Sequence, residues 1–559
     1  MGLGAQPGVV TQRTSPLSPM RAAAASAREV LRHPDLRAIE LAWTLGVAAD
    51  WMLTVVGLLA AWDVGGALGV GLFGLVRMVP ATVINLLVDA GTMARPERAL
   101  IGVGAVRALG GALVALAMAA GAPLVAMAAI AAVAAAGALV RPTSLAILPA
   151  IAADPAHLVG ANVGFTLGEA LGATLGPLSA GAMAGAWGPE PAALLAAFLL
   201  LATGAVLLRL RIADAARPLR HEREHRWRFV AGLRTLVSRP PAGVLIGSFI
   251  AQTLVRGALT TYLVILALEV LGMGEAGVGV LGAAIGLGGV AGAVVSLAMG
   301  GRRTMAPVFA LALAGWGVPI AVIGVMPTAG VAVAALLAVG VANAVLDVTG
   351  FTLIQRGTPS RSLSAVFSVM EVGAGVGVSL GGILAPILVA VLGIERALVL
   401  TGLALPALAV LGWPVVRRLD AEGVVPDRQA SLLRGIPLFC ALPLSGLERV
   451  AAGMIPVSYA TGARLMTEGE PGDRYIVLAA GSVAVTGAGR DLGRQGPGEG
   501  LGEIALLRKV PRTATVTALE PVETFEIDPE TFLAAVTGHE PSAAAAEQVV
   551  ATRLGSGTA

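Results

Sequence analysis

The sequence predicts an all-α polytopic membrane protein, twelve helices in two six-helix bundles, followed by a small α+β domain. Three observations predict it. Of 559 residues, 56% are hydrophobic and only 13% charged, with a mean hydropathy of +0.84; soluble proteins carry about 25% charged residues. Apolar runs of about 20 residues, long enough for a helix to cross hydrocarbon, recur along the first three quarters of the chain. From about Asp420 charge rises, apolar runs shorten and turn residues appear.

The tail 1–37 is polar and holds Arg13, Arg21, Arg28, Arg32 and Arg37. No short apolar core with a small-residue cleavage site precedes the first long run, so no cleaved signal peptide is expected. Spans are placed near 39–61, 67–90, 99–120, 123–148, 158–187 and 191–210, then 242–270, 276–300, 306–326, 329–355, 361–391 and 395–416. This divides the chain into a cytosolic tail (1–37), a first bundle (38–210), a basic loop (211–241), a second bundle (242–416), a linker (417–430) and a C-terminal domain (431–559). With both termini cytosolic, the inner segments hold Arg95, Arg98, Arg302, Arg303, Arg356, Arg361, Arg417 and Arg418. The outer loops then hold Asp63, Glu190, Glu269, Glu275 and Glu395, with Arg396. That is a positive-inside bias and predicts a multi-pass protein of the plasma (inner) membrane. The basic loop suits either anionic lipid headgroups or a solvated connection between bundles. Cys440, the one cysteine, excludes an internal disulfide.

The halves carry related segments. "FTLGEALG" at Phe165 and "FSVMEVGA" at Phe367 both place a glutamate four residues after phenylalanine; "DWMLT" at Asp50 and "RGALT" at Arg256 both place Leu-Thr three residues after a charge. Two related bundles are the plan of a secondary transporter with its site between them. Gly160, Gly164, Gly168, Gly172 and Gly176 recur every four residues, putting them on one helix stripe where another backbone can approach closely. The stripe reads either as tight packing or as a sliding surface between bundles, and Pro177 is expected to bend this helix.

On these features the membrane part resembles a major facilitator superfamily transporter, closest to its drug and siderophore exporters. "LGEALGATLGPLSAG" resembles the superfamily's span-five antiporter motif, through Gly172, Gly176, Pro177 and Gly181. "LLVDAGTMARPERAL" resembles its signature loop after span two, with Asp89 at the acidic position and Arg95 and Arg98 as basic residues. The resemblance implies a proton-coupled exporter of a small molecule.

Charges inside the spans cost at least a few kcal/mol each, so they need partners or a wet cavity. They are Asp50, Arg77, Arg107, Arg141, Glu169, Arg256, Asp347 and Glu371. If spans one and seven line the cavity, Asp50 and Arg256 lie at related depths, as a gated pair or as a static one. Glu169, Glu371 and Asp50 are the candidates for proton coupling; hydrogen bonding to Arg77, Arg107 or Arg141 is the competing reading. Asp347 and Asn343, one turn apart, add polar lining.

In the C-terminal domain, 431–458 reads as short helices, and "ARLMTEGEPGDRYIVLAAGSVAVTGAG" and "RTATVTALEPVETFEID" as strands of a β-roll. Between them lies "GPGEGLGEIALLRKVPRTATV". Its glycines free backbone amides for a phosphate, Glu503 offers a fixed acceptor pair, and Arg512 a planar donor fork. The pattern resembles the phosphate-binding cassette of cyclic nucleotide-binding domains, through Gly502, Glu503, Ile504, Ala505, Leu506, Arg512, Thr513 and Ala514. The resemblance implies that Glu503 holds the ribose 2′-hydroxyl, Arg512 the cyclic phosphate and Thr513 the purine or phosphate edge. A lid helix near 541–554 would place Val549, Val550 or Leu554 over the base.

The whole chain therefore resembles a facilitator-type transporter fused to a cyclic nucleotide-binding domain, with cAMP or cGMP as regulatory ligand. The partners expected are the lipid bilayer, a small-molecule substrate and the nucleotide, with no nucleic acid. Five histidines without ligand spacing, and no nucleophile with its base, point to neither metal nor enzyme chemistry. A membrane-anchored sensor that does not transport, and a lipid flippase or scramblase on the same fold, are the alternatives.

Overall fold

The computed structural model describes residues 34–87, 96–144, 155–208, 225–297, 304–358, 360–422, 427–440, 442, 444–537 and 540–556. The chain divides into two compact units, Met1–Ala421 and Glu422–Ala559.

The first unit is helical. Its first half holds α1 (Pro34–Leu87), α2 (Pro96–Ala119), α3 (Pro123–Gly137), α4 (Pro155–Trp187) and α5 (Pro189–Leu207). The second half holds α7 (Pro240–Ile265), α8 (Gly274–Leu297), α9 (Ala306–Val325), α10 (Ala329–Gly357), α11 (Ser360–Leu392) and α12 (Ile394–Glu422). A shorter helix, α6 (His225–Ser238), precedes α7, so part of the basic loop is helical. Among the described residues ten helices are long and apolar enough to cross a membrane. Several open on proline, whose missing amide costs nothing in the first turn. A π turn, Leu266–Val270, extends α7.

Helix α1 is two arms. At Gly65 and Gly66 the backbone leaves helical geometry, with φ at −153° and +53°. Only glycine adopts the second without strain.

Helix α4 carries the glycine stripe. A side chain added at Gly164 would meet Glu40, at Gly168 Thr44, at Gly172 Val47, and at Gly176 Trp51 and the carbonyl of Ala48. The described part of the stripe is therefore the bed of the first arm of α1. The contact of α4 with the second half lies on a different row of the helix. Ala173, Pro177, Gly181 and Gly185, also four apart, face Gly286, Gly282, Gly279 and Ala276 of α8. The second arm of α1 meets α11 likewise: Gly71 at the Gly382 carbonyl, and Thr82 at Gly375. Pro177 lies inside a helix that continues through it to Trp187.

The second unit opens on α13 (Asp427–Gly435), α14 (Pro437–Cys440) and α15 (Leu444–Ala452). The segment read as a linker is thus helical at both ends. Strands follow: β1 (Ile455–Tyr459), β2 (Arg464–Met466), β3 (Tyr475–Ala480), β4 (Val483–Gly487), β5 (Arg490–Gln495) and β6 (Gly500–Leu501). Then come α16 (Glu503–Arg508), β7 (Thr515–Ala518), β8 (Val522–Ile527), α17 (Pro529–Thr537) and α18 (Glu540–Ser556). Two antiparallel sheets result, in the orders β1-β8-β3-β6 and β2-β7-β4-β5. Residues 455–458, expected as the end of a helical stretch, lie in a strand: β1 pairs with β8 from Ile455↔Glu526 to Tyr459↔Val522. Its Pro456 is tolerated because β1 is an edge.

Leu465, Ile476, Leu478, Val483, Leu501 and Val516 share one core between the sheets. The alternate residues Tyr475 and Val477 of β3 join a second core with Phe439, Phe525 and Phe532 under the helices. Strand β3 is buried on both faces, as its unbroken apolar run requires. Stacked Tyr475 and Phe532 rings, 4.6 Å apart, tie α17 to it.

Candidate functional site

In the second unit, β6 pairs with β3, Ile476↔Leu501 and Val477↔Gly500, and so anchors the start of the cassette. Gly502 follows at φ +93° and begins α16. A side chain there would strike the Arg512 guanidinium. Glycine is therefore needed twice, for conformation and for space. Past α16 the chain returns beside the Thr467–Gly472 turn: the Arg512 amide donates to the Glu470 carbonyl (2.7 Å) and the Gly469 amide to the Arg512 carbonyl (2.9 Å).

This brings the Arg512 guanidinium against Gly502, the residue before Glu503. Arg512 is 5% exposed. It donates from Nη1 to the Gly502 carbonyl (3.3 Å), and from Nη2 to the Arg474 carbonyl (2.7 Å) and Asp473 Oδ1 (3.2 Å). Arg474 also binds Asp473, and its hydrogen bond is the main reason that the Asp473 carboxyl lies below its ordinary range. The Glu503 side chain, 2% exposed, accepts from Arg553 Nη1 of α18 at 2.7 Å, and Arg553 is 30% exposed. Its other oxygen is buried without a hydrogen-bond partner. The Tyr475 hydroxyl is pushed up by burial and then by the nearby Glu503 charge.

Ala505 and Leu506 are buried, Ile504 and Ala514 half-buried, and Thr513 exposed. Val550 is 1% exposed, and Val549 packs against the core holding Phe439 and Phe532. In this structure α18 reaches the cassette through Arg553, on Glu503, and Glu547, on Arg508 of α16 (2.6 Å). The Leu554 side chain lies outside the described residues. The sequence reading also missed Asp473 and Arg474; the acid beside the Pro471 turn was their only signal.

In the first unit, Asp50 pairs not with Arg256 but with Arg107 of α2, at 2.6 Å. The Arg107 side chain is 3% exposed and that of Asp50 31%. Arg107 also donates to the Gly46 carbonyl (3.3 Å), and Gly137 of α3 lies beside both partners. On the other half, Asn343 Nδ2 donates to Asp347 (3.1 Å) while its Oδ1 accepts from Trp316 Nε1 (3.1 Å) and Gln252 Nε2 (3.4 Å). Gln252 and Trp316 are near-fully buried and were missed in the sequence, where each reads as core.

The remaining charges gather around these two networks. Arg77 lies within electrostatic reach of Asp50 and Arg256. Asp347 lies within reach of Arg256, Glu169 and Arg141, and Glu371 within reach of Arg141. Arg141 and Glu169 approach to 3.7 Å. Of the motif residues, Pro177 sits on the α4–α8 seam and Gly176 on α1. Arg98 is exposed at the start of α2. Asp89 and Arg95 lie outside the described residues.

At the far end of the first unit, α12 is pinned. The Met305 and Ala306 amides, at the start of α9, donate to Asp420 Oδ2 (2.7 and 2.8 Å). Arg356 of α10 lies 3.8 Å from Asp420 Oδ1.

Residues 42–371, more than half of the chain, match the model of the Major Facilitator Superfamily. Residues 456–539 match that of the cyclic nucleotide-binding domain. Similar solved structures include the regulatory domain of Toxoplasma gondii PKA with cAMP, 29% identical over 20% of this chain and 43% of that one (TM-score 0.19). This chain thus spans less than half of that structure. The sensor domain of the transcriptional regulator DNR from Pseudomonas aeruginosa is 24% identical over 22% of this chain and 92% of its own (TM-score 0.21). The N-terminal domain of a transcriptional regulator from Streptomyces coelicolor A3(2) is 36% identical over 22% and 91% (TM-score 0.20).

Proposed function

The chain belongs to the major facilitator superfamily and carries a cyclic nucleotide-binding domain, and on that premise we propose that it is a secondary transporter whose flux a cyclic nucleotide sets. The transporter has twelve crossings in two six-helix bundles: the two arms of α1, then α2 to α5, and α7 to α12. Both termini are cytosolic, in the plasma membrane. It exports a small molecule in exchange for protons.

One observation carries the transport reading. Asp50, Arg77, Arg141, Glu169, Arg256, Asp347 and Glu371 come from both halves and form one connected series, each within electrostatic reach of at least one other. Seven charges in a membrane interior cost several kcal/mol each unless a wet cavity or a charged ligand meets them. An inert anchor has no use for that cost. The glycine-lined seam between α4 and α8 supplies a surface on which the halves rock.

The regulatory step exchanges partners. The cyclic phosphate replaces Asp473 on the Arg512 fork, and the ribose 2′-hydroxyl replaces Arg553 on Glu503. Freed from Glu503, α18 shifts. Helix α12 runs into the second unit's first residue, and its Asp420 contacts pass strain to α9 and α10. For this to change flux, nucleotide must bind the two transporter states with different affinity. Thr513 is exposed and accepts cAMP or cGMP.

Proteoliposome flux under a pH gradient, with and without cAMP and cGMP, tests the reading. Nucleotide should change the initial rate, and Arg512→Ala should abolish the response while basal flux persists. Equal loss of basal flux would make the domain a structural prop. Flux absent under every condition would leave an anchored sensor, and movement of labelled lipid a flippase.

A further inference from the structure

We propose that the last turns of α12 hold the phosphate headgroup of an anionic phospholipid, in an open hollow formed by Trp413, Pro414, Arg417 and Arg418.

Length places the hollow at a membrane boundary. Helix α12 is continuous from Ile394 to Glu422. Arg396 and Arg417 lie 21 residues apart, or about 32 Å at the helical rise, and the hydrocarbon layer is about 30 Å thick. The two arginines therefore mark its two polar edges, and the Arg417 end is the one that runs into the second unit.

The outward face of α12 is a single stripe. Leu400, Leu403, Ala407, Leu411, Pro414 and Arg418 are exposed at intervals of three or four residues, the spacing of one helix side. The opposite face fixes that orientation. Gly412 lies against Val244 of α7, Val416 and Leu419 are buried, and Asp420 is held by the α9 amides. With its inner face fixed in this way, α12 cannot turn the arginines inward.

The hollow, about 460 Å³, is lined by Trp413, Pro414, Arg417 and Arg418. Arg417 and Arg418 are exposed, and neither makes an ion pair or a side-chain hydrogen bond among the described residues. Asp420, the next acid along the chain, is engaged by α9 and lies 3.8 Å from Arg356. Two adjacent cations without a counter-ion favour an anion between them, and guanidinium forks suit phosphate oxygens. Tryptophan suits this layer, where an apolar ring meets a polar edge. A free phosphate would meet the charges alone. A phospholipid also covers the apolar stripe that leads up to them, and that continuity selects the lipid. The opposite end of α12 lacks the pairing: Arg396 stands alone beside Glu395.

The test uses full-length protein carrying Arg512→Ala, so that the nucleotide cassette takes up no phosphate. This parent is titrated in neutral detergent with phosphatidylglycerol, with phosphatidylcholine of the same chains, and with inorganic phosphate, and its melting temperature is followed. Phosphatidylglycerol should raise the melting temperature saturably, and at lower concentration than phosphatidylcholine. Inorganic phosphate at the same concentrations should leave it unmoved. Attraction of a basic residue to anionic lipid is worth roughly fivefold in affinity. Arg417→Gln with Arg418→Gln should therefore weaken phosphatidylglycerol about thirtyfold, and Arg396→Gln, on the same helix at the opposite boundary, should bind as the parent. If the double variant does not fold, the single variants decide, each roughly fivefold weaker. Phosphatidylglycerol binding unchanged in these variants, or equal effects of the two lipids on the parent, overturns the proposal. So does a shift by inorganic phosphate as large as that by phosphatidylglycerol, which would make the hollow a site for a free anion. An equal loss in Arg396→Gln would reduce the effect to net charge and overturn it as well. Neither flux nor nucleotide enters the readout, so failure here leaves the transport reading as it stands.

Discussion

Replacing Arg553 by alanine tests the partner exchange at the cassette. The guanidinium lies 2.7 Å from Glu503 Oε1, and the two side chains are 30% and 2% exposed. Breaking a fully buried ion pair costs about 3–5 kcal/mol, because a charge is left without compensation. Here one partner keeps nearly a third of its surface in solvent, which screens the attraction. We therefore expect about 2 kcal/mol. For a unit of the size of Glu422–Ala559, that lowers the nucleotide-free melting temperature by roughly 8 °C. Nucleotide must break the same contact to reach Glu503. The variant spares it that step, so cAMP should bind about ten- to thirtyfold more tightly, up to the same 2 kcal/mol. Calorimetric unfolding and titration of the full chain measure both quantities. An unchanged melting temperature would mean that the pair is idle. Weaker cAMP binding would mean that Arg553 touches the nucleotide rather than competes with it.

Three further outcomes follow from the geometry. Asp420→Asn removes the charge that two α9 amides and Arg356 face; we expect about 1–2 kcal/mol lost, and a flux response to nucleotide that weakens while calorimetric nucleotide affinity stays. Gly181→Ala places a methyl 2.6 Å from the Gly279 Cα, so the α4–α8 seam cannot close as it does here; flux in proteoliposomes should drop severalfold with unchanged nucleotide binding, and normal flux would remove the seam from the mechanism. The Tyr459 hydroxyl donates to Glu526 (2.6 Å) and is pushed up to about 12 by burial and then by that hydrogen bond. A free tyrosine titrates near 10, so the folded unit holds its proton more tightly. That contribution is full below about pH 10 and is lost as pH rises towards 12; urea titrations across this window should show the loss in wild type and a smaller one in Tyr459→Phe.

What the sequence made legible was what the chain keeps local. The cassette from Gly502 to Ala514 is one contiguous run, and the fold returns Arg512 to the Gly502 carbonyl beside Glu503. Asp473 and Arg553 belong to the same site but lie 39 and 50 residues from their partners, so no spacing announced them. Long apolar helices were readable from length alone. For Asp50 the sequence offered Arg256 and, as the competing reading, Arg107, and could not choose, because a helix pattern fixes depth and leaves the facing helix open; in the structure the partner is Arg107 of α2. The glycine stripe named a close approach correctly and could not say to what, and α1 lies in it. Strand β1 escaped because its residues are mostly exposed and include Pro456. Strand β5, exposed along nearly its whole length, has no apolar alternation to betray it.

Helix α4 bears two rows of small residues turned slightly from one another, one set against the first arm of α1 and one against α8, and each row is so close that an added methyl would strike the neighbouring helix. A rod clasped along two edges has no freedom of its own. In the transport cycle proposed above, α4 therefore moves only together with whichever neighbour keeps its clasp, and Asp50, paired with Arg107, sits on one of those neighbours. Opening a path would then be the work of whole helices, beyond the reach of a single side chain.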